Sequence, residues 1–471
     1  MKKSNIPNRK SSAKTPEEEV ELRQRMANNM AKVIKVVYRL LKPLLHDLPD
    51  PRNQSYVDYP KEALFLYGVM MFCMRATSRR NANQFMTEPI MQENFRTVLS
   101  GLFAIPHGDT LADYVELIDP EIIRDIYNKL IKKLLRNKEF RRLVGKRRVL
   151  VDGSGKESKD WKYSDKALHR KTKNGEIWLT YVMDAVLVLE NGMVIPLYVE
   201  FLENTDGEFD KQDCETKAWY RVAKMIRKLV GNNVTIILDG LYASGPIIMQ
   251  CIRYGWDYII TLKEGSMPSF SEDAHGIMKC EPSNRVETWM DGRQQTITWA
   301  NNVEHMISAN RTYIYLNVVR MEESWVECHP VTGKATEYKT VIYQFISSVP
   351  INRANAQGIC MLGRSRWLIE NNFKTEKRGG YSFEHCFSLN WDVNKAYHYF
   401  MKFGHFINVM LMSSDVLSDI VSTLGINGFL EKMRLVFSGF VLDADSIRAA
   451  VSQPFRWTLN PASIYQQAAS P

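Results

Sequence analysis

Arg147-Arg148-Val149-Leu150-Val151-Asp152-Gly153 and Val234-Thr235-Ile236-Ile237-Leu238-Asp239-Gly240 are the two stretches that decide the fold. In each, a short β-branched apolar run ends in an Asp and a Gly follows. Such runs read as buried strands with the carboxylate at the strand mouth. A third acid, Glu370, lies in Arg366-Trp367-Leu368-Ile369-Glu370-Asn371-Asn372-Phe373-Lys374, which reads as a helix. Two carboxylates on strand ends and one on a helix can hold two divalent cations about 3.5–4 Å apart, an arrangement suited to phosphoryl transfer.

Working outward, residues 148–152 form the first strand. Residues 178–189 and 193–202 are two more, joined at Asn191-Gly192, a hairpin signal. An amphipathic helix over 212–229, a strand over 234–239, a helix over 245–254 and a strand over 257–262 follow. The order β-β-β-α-β-α-β predicts a mixed sheet flanked by helices. Residues 264–340 change texture. Strands are expected at 296–299, 313–321 and 340–347, with turn residues between them, so this segment reads as a β-rich insertion. A helix over 354–377 returns to the main fold and stops at Gly379-Gly380. Residues 395–412 make an aromatic and methionine-rich helix that belongs in a core.

Upstream, Thr15 and Glu18 form a capping box for a helix from Pro16 toward His46, broken by Leu48-Pro49-Asp50-Pro51. Further helices are expected at 61–74, 79–85 and 120–135. The organisation is then a disordered basic tail over 1–14 and a helical N-terminal DNA-binding region over 15–145. A catalytic domain follows, in two parts (146–263 and 341–415) separated by the insertion over 264–340. Residues 416–471 are weakly patterned and receive no task.

The bulk composition narrows the partners. A chain of 471 residues with 45% hydrophobic and 24% charged residues is an ordinary globular composition. No apolar stretch is long enough to span a bilayer, and MKKSNIPNRKSSAK has no apolar segment of a secretory signal, so no membrane role is expected. The net charge of +9 favours a polyanion. The charge is densest at 129–148, where Lys129, Lys132, Lys133, Arg136, Lys138, Arg141, Arg142, Lys146, Arg147 and Arg148 face one acid, Glu139. That run is either a solvated helix face or a phosphate-binding surface leading into the first catalytic strand. Seven Cys without a Cys-x-x-Cys pair and nine scattered His give no zinc signature.

On the helix of Glu370, Arg366 stands four residues before the acid and Lys377 seven after, offsets that share one helical face. Glu376, six residues on, points elsewhere and is discounted as a ligand. A carboxylate between two cations suits a metal beside a phosphate backbone, with Arg as a forked clamp and Lys as a point charge.

These residues together resemble an insertion-sequence transposase of the DDE superfamily. The chain is similar to the subgroup whose β-rich insertion separates the second Asp from the Glu and which carries a Tyr-x2-Arg-x3-Glu-x6-Lys signature. Arg366, Glu370 and Lys377 match it, while the Tyr position holds Gly363. Ile105-Pro106-His107-Gly108-Asp109-Thr110-Leu111 also resembles a segment common before the catalytic domain. The resemblance covers roughly residues 60–410. It implies a ribonuclease H-like fold, a catalytic and metal-binding triad of Asp152, Asp239 and Glu370, and two Mg²⁺ or Mn²⁺ ions per site. Double-stranded DNA, as terminal inverted repeats and target, is the implied partner, handled by a homodimer in a synaptic complex in a bacterial cytoplasm at the nucleoid. Arg366, Lys377, Lys374, Arg147, Arg148 and Tyr343 are the expected DNA contacts. In similar transposases the insertion stacks an aromatic on a flipped base, for which Trp289, Trp299, Trp325 and Tyr343 are available. Two alternatives stay open: a related metal-dependent nuclease that cuts without joining, and a non-catalytic DNA-binding descendant.

Overall fold

Thr15 starts the first helix by accepting the Glu18 N–H at 3.2 Å, with Pro16 in the first turn. The structure is a computed structural model, and it describes residues 13–99, 104–142, 146–173, 175–204, 212–307, 312–329 and 335–460. The basic tail expected at 1–14 falls outside these residues up to position 12. Helix α1 (Pro16–Leu45) is followed by α2 (Lys61–Cys73), α3 (Arg79–Met86), α4 (Pro89–Val98), α5 (Gly108–Glu116), α6 (Pro120–Leu135) and α7 (Lys138–Arg142). Next come β1 (Arg147–Lys159), β2 (Leu168–Thr172), β3 (Gly175–Val188), β4 (Val194–Leu202), α8 (Glu215–Val230), β5 (Val234–Leu238), α9 (Gly245–Tyr254) and β6 (Asp257–Thr261).

β1 pairs antiparallel with β3 and β3 with β4, while β5 runs parallel to both β1 and β6. The order β4-β3-β1-β5-β6 is the mixed ribonuclease H-like sheet that the sequence order implies. Its centre is apolar on both faces, with Val149, Leu150, Val151, Ile236, Ile237 and Leu238 at 0–1% exposure, as strands covered by helices on both sides must be.

Asp152 corrects one expectation. It is not a strand end, because β1 continues to Lys159 as a ribbon on β3. β5 accompanies β1 only from Arg147 to Leu150. Asp152 therefore sits where the parallel neighbour departs, and one edge of its strand opens. Gly153 does not stop the strand. It makes room: a Cβ there would lie 2.7 Å from the Glu215 carboxyl and the Tyr181 ring.

The insertion comprises α10 (Pro268–Cys280), β7 (Arg285–Met290), β8 (Arg293–Ile307), β9 (Thr312–Cys328) and β10 (Ala335–Ser347). It is not a separate body. β10 pairs with β6 through Phe345–Thr261, Ile346–Ile260 and Ser347–Ile259, then β9, β8 and β7 add in turn to one 10-stranded sheet. The boundary at 340 consequently cuts through β10. One face of this extension is covered by α11 (Ala356–Arg364), giving a second core around Ile297, Trp299, Val319, Met321 and Phe345.

The helix expected at 354–377 is two helices. α11 ends at Arg364 and α12 (Trp367–Arg378) begins after a break at Ser365-Arg366. Ser365 Oγ bonds back to the Leu362 carbonyl at 2.6 Å, a local alternative to continued helix. The last helices are α13 (Trp391–Met412), α14 (Ser418–Ser438) and α15 (Ala444–Ser452). α13 is buried along its whole length except Asp392. It lies between the sheet and the helical body, packing on α2, α5, α6 and β4. α14 and α15 close that body against α1 and α4: Arg25 pairs with Asp419, Lys432 pairs with Glu19, and Asn94 Nδ2 donates to the Phe437 and Phe440 carbonyls. Residues 416–460 thus have a packing role. A kink at Gly425 (φ 69°) interrupts the helical period that would have revealed it in the sequence.

Candidate active site

Arg366 gathers the acidic residues. Its guanidinium donates to Asp152 Oδ2 at 3.2 Å and to Glu370 Oε1 at 2.5 Å, and its Nε lies 3.7 Å from Asp239 Oδ1. Three carboxylates far apart in the chain therefore meet around one side chain. The local backbone explains each placement. Asp152 sits at the open edge of β1, and Asp239 follows the last residue of β5 at the start of the short 3-10 turn Gly240–Tyr242. Glu370 is in the first turn of α12, where a negative charge suits the helix dipole.

The three acids have different surroundings. Burial pushes the Asp152 carboxyl up to about 6, against the pull of the Gly153 N–H and Arg366. Burial also works on Asp239, but there Lys263, the Gly240 N–H and Arg366 together hold the carboxyl below its ordinary value. Lys263 Nζ is 2.6 Å from Asp239 Oδ2. Glu370 is the most open, with its side chain 55% exposed.

Both glycines after the aspartates now have a physical reason. Gly153 admits Glu215, whose carboxylate accepts the Tyr181 hydroxyl at 2.6 Å and the Tyr242 hydroxyl at 3.0 Å. Gly240 admits the stem of Lys263, whose Cγ would lie 2.6 Å from a Cβ at that position. Neither Glu215 nor Lys263 was found by sequence reasoning. Lys263 stands two residues beyond β6, whose Ile260 is the register partner of Leu238, so it lies just past the level of Asp239, and that spacing was a usable signal.

A cavity of 1630 Å³ opens beside the acids, between the end of β6, the start of α10, β10 and the α11–α12 break. Asp239, Lys263, Arg366 and Glu370 line it, and so do Arg148 and Tyr343. The Arg364 guanidinium lies 4.7 Å over the Tyr343 ring and bonds Glu323 at 2.9 Å. Other expected contacts lie elsewhere. Arg147 donates to the Val230 carbonyl at the end of α8, Lys377 pairs with Glu384 at 3.0 Å, and Lys374 is exposed on α12. Of the tryptophans, Trp299 is core, Trp325 lies under Arg293, and Trp289 is 69% exposed.

Gly363, at the Tyr position of the signature, is fixed by packing. A Cβ there would meet the Phe345 ring at 2.5 Å. Gly363→Ala should therefore destabilise the protein by about 1–3 kcal/mol by overpacking, outweighing the roughly 0.5–1 kcal/mol that Ala gains in a helix. Chemical denaturation checks this, and an unchanged or raised stability would contradict the packing.

The donor set is all oxygen and anionic, which fits a hard divalent cation. Among the described residues no three His, Cys, Asp or Glu side chains stand close enough to share an ion directly. The acids converge on the Arg366 guanidinium, so seating a cation among them requires that group to turn aside.

A family model described as a transposase DDE domain matches residues 145–403, more than half of the chain. No curated protein matches it. The matched span holds all three acids, the whole insertion and most of α13, and it excludes α1–α7.

Proposed function

From the chain's membership of the transposase DDE domain family, we propose that it binds the inverted-repeat ends of a mobile element, nicks DNA by metal-dependent hydrolysis and joins the freed 3′ end to target DNA. The observation that carries this reading is the convergence of Asp152, Asp239 and Glu370 on Arg366 at the mouth of a cavity lined with cations. Mg²⁺ or Mn²⁺ held by the three carboxylates would supply a polarised attacking oxygen and a stabilised leaving oxygen. Asp152 and Asp239, on neighbouring strands, would hold the cation together with Glu370 from the helix. Arg366 and Arg148 clamp phosphates on the cavity wall. Lys263 holds Asp239 charged and oriented. Tyr343, half-buried under Arg364, is the aromatic that stacks on an extruded base in this reading. Arg147, Lys374 and Lys377 contribute to the hold on the duplex, Lys377 by exchanging Glu384 for a phosphate. The described residues hold one such site, so two ends call for two copies.

Among the described residues no helix is long and apolar enough to cross a membrane. The competing reading is a nuclease that cuts without joining. A strand-transfer assay with a pre-nicked end carrying a 3′-hydroxyl separates them. Joined products are expected, and their absence alongside efficient nicking would favour the nuclease.

The raised Asp152 carboxyl adds a pH test. Below about 6 a proton occupies Asp152 and competes with a cation. Mn²⁺ affinity, measured by calorimetry, should fall up to about tenfold per unit as the pH drops from about 6 to about 5. An affinity flat over that range would contradict the assignment of Asp152 as a ligand.

A further inference from the structure

Glu376 follows Glu370 by six residues on α12 and points into the protein. Its side chain is 0% exposed. Glu376 Oε2 is 2.7 Å from Lys402 Nζ and Glu376 Oε1 is 2.8 Å from His405 Nδ1, both on α13. The same Lys402 ammonium donates to Asp184 Oδ2 on β3. Asp184 is the register partner of Asp152 across the β1–β3 ladder. One buried lysine thus joins the strand beside Asp152 to the helix that carries Glu370.

Stability alone does not account for such a cluster. Taking two carboxylates and an ammonium out of water is expensive, and a well-packed apolar set of similar volume often serves stability as well or better. Asp184 Oδ1 also lacks a hydrogen-bond partner, so part of the desolvation is not offset. What the charges provide that apolar contacts do not is direction. An ammonium between two carboxylates fixes where each may sit, whereas methyl groups allow sliding. The anchoring element is also rigid, since α13 is buried between the sheet and the helical body.

We propose that Lys402 is a positioning residue: through Asp184 and Glu376 it holds α12 in register with β1 and so sets the spacing of Glu370 from Asp152. His405 supports it by orienting the second oxygen of Glu376. The inference rests on reading Asp152, Asp239 and Glu370 as ligands for a divalent cation. It identifies a second task for α12, in which one acid faces the reaction and the other aligns the first.

The test uses the full chain and two variants. Removing Lys402 alone would leave two buried carboxylates facing each other, so the whole cluster is neutralised instead, as Asp184→Asn, Glu376→Gln and Lys402→Met together. The second variant, Lys402→Arg, keeps the charge but changes its reach. Each is measured by thermal melting, by binding to DNA, and by Mn²⁺ affinity with calorimetry in the absence of DNA. The expected result for the neutral triple variant is a melting temperature close to that of the wild type, unchanged DNA binding, and Mn²⁺ affinity lower by about 10–100-fold, the range found when residues supporting metal ligands are removed. Lys402→Arg should fold and lose affinity in the same direction. Wild-type Mn²⁺ affinity in either folded variant would overturn the proposal. Failure of both to fold would make the cluster a stability element and overturn it as well. Asp152→Ala serves as the control: a wild type whose Mn²⁺ binding is indifferent to Asp152 would refute the metal reading itself, which is a different failure.

Discussion

Asp152→Ala, Asp239→Ala and Glu370→Ala are each expected to lower DNA cleavage by on the order of 10⁴-fold, the scale seen when one member of a catalytic set is deleted, while DNA binding persists. The substitutions should differ in their effect on stability, and the sign follows from the surroundings. Asp152 has its folded carboxyl raised to about 6, above the ordinary value near 3.8. Its charge therefore opposes folding, fully so above about pH 6 and not at all below about pH 3.8. Asp152→Asn should raise the melting temperature at neutral pH. Asp239 is shifted the other way, mainly by Lys263 and the Gly240 N–H working against burial. Its charge favours folding above its unfolded value, and that contribution fades as the pH falls through the lower folded value. Asp239→Asn should lower the melting temperature at neutral pH. Melting curves of the two variants at about pH 7.5 decide the matter. Equal shifts in one direction would show that the two sites do not differ in the way described.

Arg366→Ala should separate two roles that one side chain combines. The guanidinium contacts all three acids and so competes with a cation for them. It also stands where a phosphate would enter the cavity. Removing it should raise the intrinsic Mn²⁺ affinity of the protein without DNA. At the same time it should weaken DNA binding and lower the slope of log K against log salt by about 0.9 for one lost phosphate contact on duplex DNA. Cleavage should fall by about 10²–10³-fold, as when a donor to developing charge is removed. A lower Mn²⁺ affinity would mean that Arg366 organises the carboxylates more than it competes for their charge. An unchanged salt slope would remove it from the phosphate path.

Much of this site was legible in the sequence because it depends on short-range pattern. Two β-branched runs ending in Asp-Gly located Asp152 and Asp239, and the offset of four residues placed Arg366 beside Glu370, where the 2.5 Å contact now lies. The same periodicity turned Glu376 away from the acids. What failed was of a different kind. The end of β1 was misplaced because Gly153 read as a stop, whereas its lack of a Cβ accommodates Glu215 from a helix sixty residues on. The continuity of β10 with β6 is a long-range pairing that leaves no local mark, so the insertion looked independent. The break between α11 and α12, where Ser365 Oγ bonds the Leu362 carbonyl, leaves no mark in the apolar spacing. Lys402 was invisible for a related reason: a lone lysine shows its partner only after the chain has folded. The helical match of 416–460 to α1 and α4 was hidden by the kink at Gly425.

In the proposed function, three carboxylates assembled around Arg366 cut DNA with a divalent cation. The most direct measurement is cleavage of a plasmid carrying the DNA that flanks this chain's own gene, with Mg²⁺ present, mapped at nucleotide resolution for the wild type and for Asp239→Ala. Nicks are expected at fixed positions that leave 3′-hydroxyl ends, abolished by chelation and by the substitution. Cleavage that survives Asp239→Ala or thorough chelation, or a wild type that binds these ends and never nicks them, would contradict it.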